Sequence, residues 1–181
     1  MGPGLGKDDA ALALLKNILK NFHKPVVIDA DGLNLLAENP ALLDKLPAGS
    51  ILTPHVKEFD RLFGEHKSWW QRLQTALSKA KTHNLYILLK NDYTIIATPE
   101  EKMYFNPTSN PAMASGGMGD VLTGIITSLL AQGYTPQEAC IIGAYIHGKA
   151  GDELAVPNRM NVVLPSAVAT RLPFTMAKLL A

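Results

Sequence analysis

The 181-residue sequence predicts an α/β fold in which a mostly parallel, doubly wound sheet is flanked by helices. Short continuous apolar runs, which are typical of strands buried on both faces, occur at residues 26–28, 51–53 and 85–89. Segments with apolar residues at helical spacing separate these runs, and strands that alternate with helices favour parallel pairing. In such sheets ligands bind outside the carboxyl ends of the strands.

Capping and stop residues delimit the predicted helices. Ser68 is suited to begin one helix, and the capping box from Thr135 to Glu138 begins another. Gly64 and Gly133 are suited to end helices. Helices are therefore predicted over about 12–22, 32–38, 56–63, 69–81, 121–132, 136–154 and 165–180, the last interrupted at Pro173. Residues 94–97 and 103–105 predict an antiparallel hairpin that folds over a ligand site.

Composition excludes several classes of protein. Seventeen basic and sixteen acidic residues give a net charge of +1 without a basic run, so a nucleic-acid partner is not expected. The single cysteine, Cys140, excludes an internal disulfide and is interpreted as a small core residue. No apolar run is long enough to cross a bilayer and no secretion signal opens the chain, which predicts a cytoplasmic protein with no membrane partner. Residues 1–181 are predicted to form a single domain.

The stretch Asn110–Gly124 contains a glycine-rich loop that leads directly into an apolar helical segment. Glycines let successive amide N–H groups converge, and the start of a helix adds further N–H groups and its positive dipole end, so this loop predicts a phosphate site. Asp120 would repel an anion there. We interpret Asp120 as a base that takes a proton from a substrate hydroxyl; the alternative is that it merely caps the helix.

The run Gly116–Gly124 resembles the Gly-x-Gly-Asp signature of the ribokinase-like superfamily, and in particular that of the NAD(P)H-hydrate dehydratase family. Further blocks in family order are Gly2–Gly6, Val27–Leu36, Ile51–Phe59, Leu89-Lys90 and His147–Asp152. The chain resembles the C-terminal two thirds of that domain. We therefore expect it to lack an N-terminal part that carries the first strands and part of the substrate site.

The resemblance implies a hydro-lyase that dehydrates hydrated NADH or NADPH (NADHX or NADPHX) with ADP or ATP and Mg²⁺. Asp120 would deprotonate the hydrate hydroxyl, the nucleotide would phosphorylate it, and elimination would restore the ring. Two alternatives stay open: a ribokinase-like small-molecule kinase, and a non-catalytic nucleotide-binding fragment. We expect the shortened chain to bind nucleotide weakly, to catalyse poorly, and to form a homo-oligomer that covers an exposed sheet edge or face near Val26–Asp29.

The resemblance also assigns site residues. Gly6, His55 and Asp120 would contact the substrate, although a histidine at a strand end is often only a satisfied polar residue. The nucleotide-binding residues would be Lys90, Asn91, Asp92, Tyr93, Thr94, Gly117, Met118 and Gly119. Asn91 and Met118 stand where the family usually has Gly and Ser or Thr, and these changes are expected to alter affinity and rate rather than fold.

Two further expectations concern residues at the predicted strand ends and in one helix. Asp29 and Asp31 either hold Mg²⁺ or cap the next helix and bind ribose hydroxyls, so no metal ligand is named. Because Asp31, His55 and Lys90 each follow a predicted strand, a parallel sheet is expected to bring them near the glycine loop. The two tryptophans at 69 and 70 are interpreted as core or interface anchors.

Overall fold

The computed structural model describes residues 1–180, and these form two compact units: residues 1–91 with 95–104, and residues 92–94 with those from 105 onward. The elements of the first unit are α1 (Asp9–Asn21), β1 (Val27–Ile28), α2 (Ala30–Glu38), a 3₁₀ turn (Pro40–Lys45), β2 (Ile51–Leu52), α3 (Val56–Phe63), α4 (Trp69–His83), β3 (Tyr86–Leu89), β4 (Ile95–Ala97) and β5 (Met103–Phe105), whose last residue belongs to the second unit. The predicted domain of residues 1–181 ends one residue outside the described part of the chain.

The five strands form a mixed sheet in the order β1-β2-β3-β4-β5. β1, β2 and β3 pair in parallel, with Ile28 opposite Leu52 and Leu52 opposite Ile87. β4 runs antiparallel to β3 and lies beside β5, as expected for the predicted hairpin. The α/β class and the parallel half are therefore confirmed. The sheet of residues 1–180 is mixed rather than mostly parallel, since two of its pairs are parallel and β3 pairs with β4 in the antiparallel sense.

Two apolar clusters pack helices against these strands. One joins buried residues of α1, α2 and the 3₁₀ turn to Ile28 and Leu52. The other joins Phe59 of α3 and two alanines of α4 to Ile87 and Leu89. All residues of β1, β2 and β3 are buried, as their continuous apolar runs predict.

The exposed edge or face that is expected near Val26–Asp29 is present only as an edge. β1 is an edge strand, but Val27 and Ile28 are buried, so the prediction of an uncovered face is wrong. Part of the edge is also occupied, because the N–H of Asp29 donates to the carbonyl of Met1 at 3.0 Å. An edge strand whose backbone groups are used in this way is a weaker template for further pairing.

The second unit is helical and consists of a 3₁₀ turn (Pro111–Met113), α5 (Met118–Ala131), α6 (Pro136–Asn158) and α7 (Pro165–Leu180). α6 begins at the predicted capping box of Thr135 and Glu138. The carboxylate of Glu153 on α6 holds α7, accepting bonds from Arg171 Nε at 2.8 Å, Thr175 Oγ1 at 3.0 Å and Lys178 Nζ at 3.2 Å. No helix among residues 1–180 is both long and apolar enough to cross a membrane.

Several sequence-based details are confirmed and others are corrected. Cys140 is fully buried, as expected of a core residue, and burial raises the pKa of its thiol. α7 is continuous through Pro173, so the predicted interruption is wrong. α6 extends beyond the predicted end at 154 and is closed by Arg159 in the left-handed region at a φ of 50°. Trp69 and Trp70 are exposed, which excludes the core alternative for both.

A polar cluster fastens α3 to α4. Arg72 donates to Asp60 through Nε at 2.9 Å and Nη2 at 2.6 Å, and His66 contacts the same carboxylate at 2.8 Å. These hydrogen bonds lower the pKa of Asp60 below its ordinary value of 3.8 despite partial burial, and the bond from Arg72 has the largest effect. Because the folded-state pKa is lowered, the stabilisation is present above the unfolded-state pKa and is lost as the pH falls through the folded value.

We expect Asp60→Asn to lower the free energy of unfolding at pH 7 by about 1–2 kcal/mol, because the charged acceptor of two Arg72 bonds is lost. Urea denaturation at pH 7 and at pH 3 checks this, and the difference from the wild type should shrink at the lower pH. Asp44→Asn is the matched control, since Asp44 also contacts a histidine, His83, but its side chain is 71% exposed. An equal effect of both variants would contradict the role of the cluster.

Candidate functional site

The three parallel strands deliver polar residues to one edge of the sheet. Asp29 follows β1, His55 follows β2 and Lys90 follows β3. His55 and Lys90 form a parallel bridge, and the N–H of Lys90 donates to the carbonyl of Pro54 at 2.8 Å. The parallel ladder thus continues beyond the strands and brings these residues together. We call Asp29, Asp31, His55 and Lys90 the strand-end cluster.

An ion pair lies at the centre of the strand-end cluster. Lys90 Nζ is 2.8 Å from Asp29 Oδ1, and the side chain of Asp29 is 2% exposed while that of Lys90 is 20% exposed. A buried carboxylate needs a charged or hydrogen-bonding partner, and Lys90 supplies one. The ammonium expected to meet nucleotide phosphates is therefore already paired with a protein carboxylate.

The turn from β1 into α2 is tight and strained. Ala30 has a φ of 46°, a conformation that residues with a side chain rarely adopt and that costs on the order of 1 kcal/mol or more. The loop of residues 2–6 packs directly on this turn. A Cβ at Gly2 would lie 1.7 Å from the carbonyl oxygen of Asp29, so only glycine fits there.

Asp31 binds the backbone of that loop. The N–H of Gly6 donates to Asp31 Oδ2 at 2.9 Å, so this N–H, in a residue expected to contact substrate, already has a partner. Asp29 therefore faces the ammonium of Lys90, and Asp31 faces the backbone amide of Gly6. No group of three or more His, Cys, Asp or Glu residues within the described chain converges as a metal site. Asp29 and Asp31 do not fit a protein cage for Mg²⁺ in this arrangement, since the nearby ammonium opposes a second cation.

His55 begins α3 as its N-cap. Its Nδ1 accepts the N–H groups of Lys57 at 3.1 Å and Glu58 at 3.2 Å, and Glu58 Oε2 accepts the N–H of His55 at 2.8 Å. This pattern assigns the proton of the neutral ring to Nε2. The His55 side chain is 51% exposed. The alternative of a satisfied polar residue thus describes Nδ1, while Nε2 lies 3.6 Å from Glu58 Oε1.

The glycine loop, residues 110–120, lies in the second unit and ends in α5. Gly117 is the N-cap at a φ of 88°, a left-handed conformation suited to glycine. The first N–H groups of α5 have no acceptor within the helix, and the helix dipole adds positive charge there. The N–H of Met118 differs, because it contacts the carbonyl of Ser115 at 3.3 Å. The loop retains the elements of an anion site.

Asp120 is the third residue of α5 and its side chain is exposed. The N-cap is Gly117, so Asp120 does not cap the helix in the strict sense. Its carboxylate is stabilised by the positive end of the helix dipole, which also attracts a phosphate.

The expected nucleotide run continues from Lys90 into an exposed turn. Asn91, Asp92 and Tyr93 are exposed, and the carbonyl of Thr94 accepts the N–H of Asn106 at 2.9 Å. Asn91 does not have a positive φ. Asparagine in place of the usual glycine therefore introduces no left-handed strain at this position.

Sequence reasoning missed three contacts. The Lys90–Asp29 pair and the Gly2–Asp29 contact join residues far apart in the chain, and no local pattern indicates them. The cap at His55 had a signal, because an acceptor followed three residues later by Glu58 has the spacing of a capping box.

Solved structures define the class of fold. A ribokinase from Thermotoga maritima superposes on 87% of this chain with a TM-score of 0.56 at 20% identity, which shows the fold alone. An ADP/ATP-dependent NAD(P)H-hydrate dehydratase from Bacillus subtilis, co-crystallised with ATP/Mg²⁺ and soaked with CoA, superposes on 98% of this chain with a TM-score of 0.85 at 31% identity. The chain thus has a ribokinase-like α/β fold.

The family model described as NAD(P)H-hydrate dehydratase matches residues 1–173, and the chain belongs to this family. The bifunctional NAD(P)H-hydrate repair enzyme Nnr of Moorella thermoacetica is 41% identical over an alignment of 181 positions that covers 99% of this chain. The ADP-dependent (S)-NAD(P)H-hydrate dehydratase of Neisseria meningitidis serogroup B is 41% identical over an alignment of 158 positions that covers 84% of this chain. The chain spans 34% and 53% of these two relatives and 64% of the Bacillus subtilis structure.

We expect Lys90→Met to lower the free energy of unfolding by about 2–4 kcal/mol, because the buried carboxylate of Asp29 loses the ammonium of Lys90. The double variant Asp29→Asn/Lys90→Met should recover part of this loss. Thermal or urea denaturation measures both. Lys81→Met is the control, since the Lys81–Glu101 pair is 59% and 57% exposed and a loss below about 1 kcal/mol is expected. Equal losses for the two single variants would disprove the importance of burial.

Proposed function

We propose that these residues form the nucleotide-binding and catalytic part of an ADP- or ATP-dependent NAD(P)H-hydrate dehydratase. The observation that carries the proposal is the exposed carboxylate of Asp120 in the first turn of α5, directly after the left-handed Gly117. An anion site next to a carboxylate base is the combination that phosphorylation of a hydroxyl group requires. The names of the relatives and the family match supply the substrate class.

Phosphorylation makes the dehydration feasible because hydroxide is a poor leaving group and phosphate is a good one. Asp120 accepts the proton of the hydrate hydroxyl, whose oxygen attacks the terminal phosphorus of the nucleotide. A new O–P bond forms, and the bond from phosphorus to the bridging oxygen breaks. The leaving group is ADP when the nucleotide is ATP, and AMP when the nucleotide is ADP. The phosphate then departs with its bonding electrons, and loss of a proton from the adjacent ring carbon restores the double bond.

The amides of Gly117, Met118 and Gly119 are proposed to stabilise the phosphoryl group. The N–H of Met118 would exchange its long contact with Ser115 for the phosphate. The backbone can do this without the hydroxyl that Ser or Thr would offer at position 118. We expect the substitution to weaken phosphate binding rather than to abolish it.

The remaining assignments follow from the strand-end cluster. His55 is proposed to donate from Nε2–H to the substrate, since its Nδ1 is used by the helix cap. Gly6 would contact the substrate through its carbonyl or its backbone surface. Residues 90–94 are proposed to bind the nucleotide, with Lys90 shared between Asp29 and phosphate. Mg²⁺ is expected to accompany the nucleotide, because Mg²⁺ at such sites binds substrate phosphates and water with few carboxylates.

One assay distinguishes the proposed dehydratase from two other candidate functions. Recovery of the absorbance of reduced nicotinamide from its hydrate, dependent on ADP or ATP, supports the dehydratase. A stable phosphorylated alcohol without nicotinamide recovery would favour a small-molecule kinase, which the same glycine loop could serve. Nucleotide binding without either product would indicate a non-catalytic nucleotide-binding unit. Light scattering of the same sample tests the expected self-association.

In a protein that carries the full-length dehydratase domain, we expect Asp120→Asn to lower the turnover number by at least about 100-fold, because the amide cannot accept the hydroxyl proton. Binding of nucleotide, measured by calorimetry, should persist. Asp9→Asn is the matched control, since Asp9 is likewise an exposed acid in the first turn of a helix. Turnover within a few fold of the wild type for Asp120→Asn would show that Asp120 is not the base.

A further inference from the structure

The connection between α6 and α7, residues 159–164, has no role in the proposed chemistry, yet it touches the glycine loop. Val162 and Leu164 are exposed, whereas Val163 between them is fully buried. Val163 packs into an apolar cluster that also contains Met118, the first residue of α5. A single buried residue between two exposed ones is typical of an anchor point, so we examined what Val163 contacts.

Both backbone groups of Val163 bond to the glycine loop. Its N–H donates to the carbonyl of Ala112 at 2.8 Å, and its carbonyl accepts a bond from Ser115 Oγ at 3.2 Å. Val163 therefore bridges two points of the short segment that leads into α5. The bond to Ala112 joins backbone to backbone and needs no particular side chain, whereas the other bond exists only because residue 115 carries a hydroxyl.

A third contact with the loop lies at the N-cap of α5. A Cβ at Gly117 would lie 3.4 Å from Cγ of Pro165, the first residue of α7. α7 is itself fixed, because Glu153 bonds it to α6 and Val168 belongs to the same apolar cluster as Val163. The connection is thus held at its far end and presents two neighbouring residues to the loop.

Ser115 also links this contact to the start of α5. Its N–H donates to the carbonyl of Met113 at 2.8 Å, and its carbonyl accepts the N–H of Met118 at 3.3 Å. Gly116 and Gly117 follow, and neither has a side chain that could hold the backbone. Ser115 is therefore the last residue that can anchor the loop through its side chain before the amides that are proposed to bind phosphate.

We propose that Ser115 is a positioning residue, whose bond to Val163 holds the glycine loop against the α6–α7 connection and so keeps it in its phosphate-binding conformation. The part of the proposal that concerns phosphate rests on the proposed function. The part that concerns the loop does not, because the order of the loop can be measured in the protein without nucleotide.

The first experiment measures hydrogen exchange of the nucleotide-free protein in Ser115→Ala, Ser115→Thr and the control Ser128→Ala. The amides of Ser115, Met118 and Val163 should exchange about 5-fold faster in Ser115→Ala, since one hydrogen bond is lost. Ser115→Thr should restore slow exchange, because it keeps the hydroxyl. Ser128→Ala removes a hydroxyl from the exposed end of α5, where it accepts from Gln132 at 3.1 Å, and should leave the three amides unchanged.

The second experiment measures function in a protein that carries the full-length dehydratase domain. Ser115→Ala should raise the calorimetric Kd for ADP or ATP, and the KM for nucleotide, by about 5-fold, because binding must then order the loop. The value of kcat should change by less than about 2-fold, since the loop is ordered once nucleotide is bound. Ser115→Thr should return Kd and KM to near the wild-type values. Val163→Ala should also weaken binding, and the effects of Ser115→Ala and Val163→Ala should not add fully.

The outcomes separate this proposal from the proposed function. A wild type that binds no nucleotide would reject the proposed function, whereas the exchange data would still decide the role of Ser115. Unchanged exchange at the three amides in Ser115→Ala, or an equal change in Ser128→Ala, would overturn that role.

A higher Kd without faster exchange in the nucleotide-free protein would overturn it as well, because the hydroxyl would then act by touching phosphate directly. If Ser115→Ala does not fold, Ser115→Cys decides, since a thiol has nearly the same shape but is a weaker donor. Exchange in Ser115→Cys as slow as in the wild type would then overturn the proposal.

Discussion

The buried ion pair between Lys90 and Asp29 is the interaction on which the ordering of the strand-end cluster depends. It ties the end of β3 to the end of β1, two strands that do not pair directly, since β2 lies between them. A carboxylate with 2% exposure would destabilise the fold without such a partner. The strained φ of Ala30 and the close approach of Gly2 occur at the same turn. Strain of this kind persists only where surrounding contacts hold it, and it is concentrated at functional sites.

The second unit solves a different physical problem, because a loop that binds anions through its backbone has few side chains to hold it in place. Gly117 provides the left-handed turn but also removes any side-chain anchor at that point. The anchoring is transferred to α6, where Gly148 and Gly151 permit close contact with Thr108 and Met113. The block His147–Asp152 therefore has a physical reason to accompany the glycine loop.

The departures from the family pattern are mild in physical terms. Met118 removes a hydroxyl but keeps the backbone N–H, and its side chain is buried in the apolar cluster beneath the loop. Asn91 occupies its position without a positive φ. Both changes leave the backbone elements of an anion site in place, while the charge of Lys90 is moderated by Asp29. The affinity for phosphate should therefore depend chiefly on how well the loop amides are ordered.

The sequence by itself determined the elements whose causes are local. The helix over Val56–Phe63, the capping box at Thr135 and the buried runs of β1, β2 and β3 follow from patterns within a few residues, and the structure agrees with them. Only the tertiary structure decided the antiparallel pairing of β4 with β3, the exposure of both tryptophans, and the contacts Lys90–Asp29 and Gly151–Met113. These features depend on which distant segments of the chain come into contact, and the local sequence around a residue does not indicate this. The glycine loop illustrates both cases. Its residues predict an anion site, whereas its orientation depends on contacts with a helix that follows later in the chain.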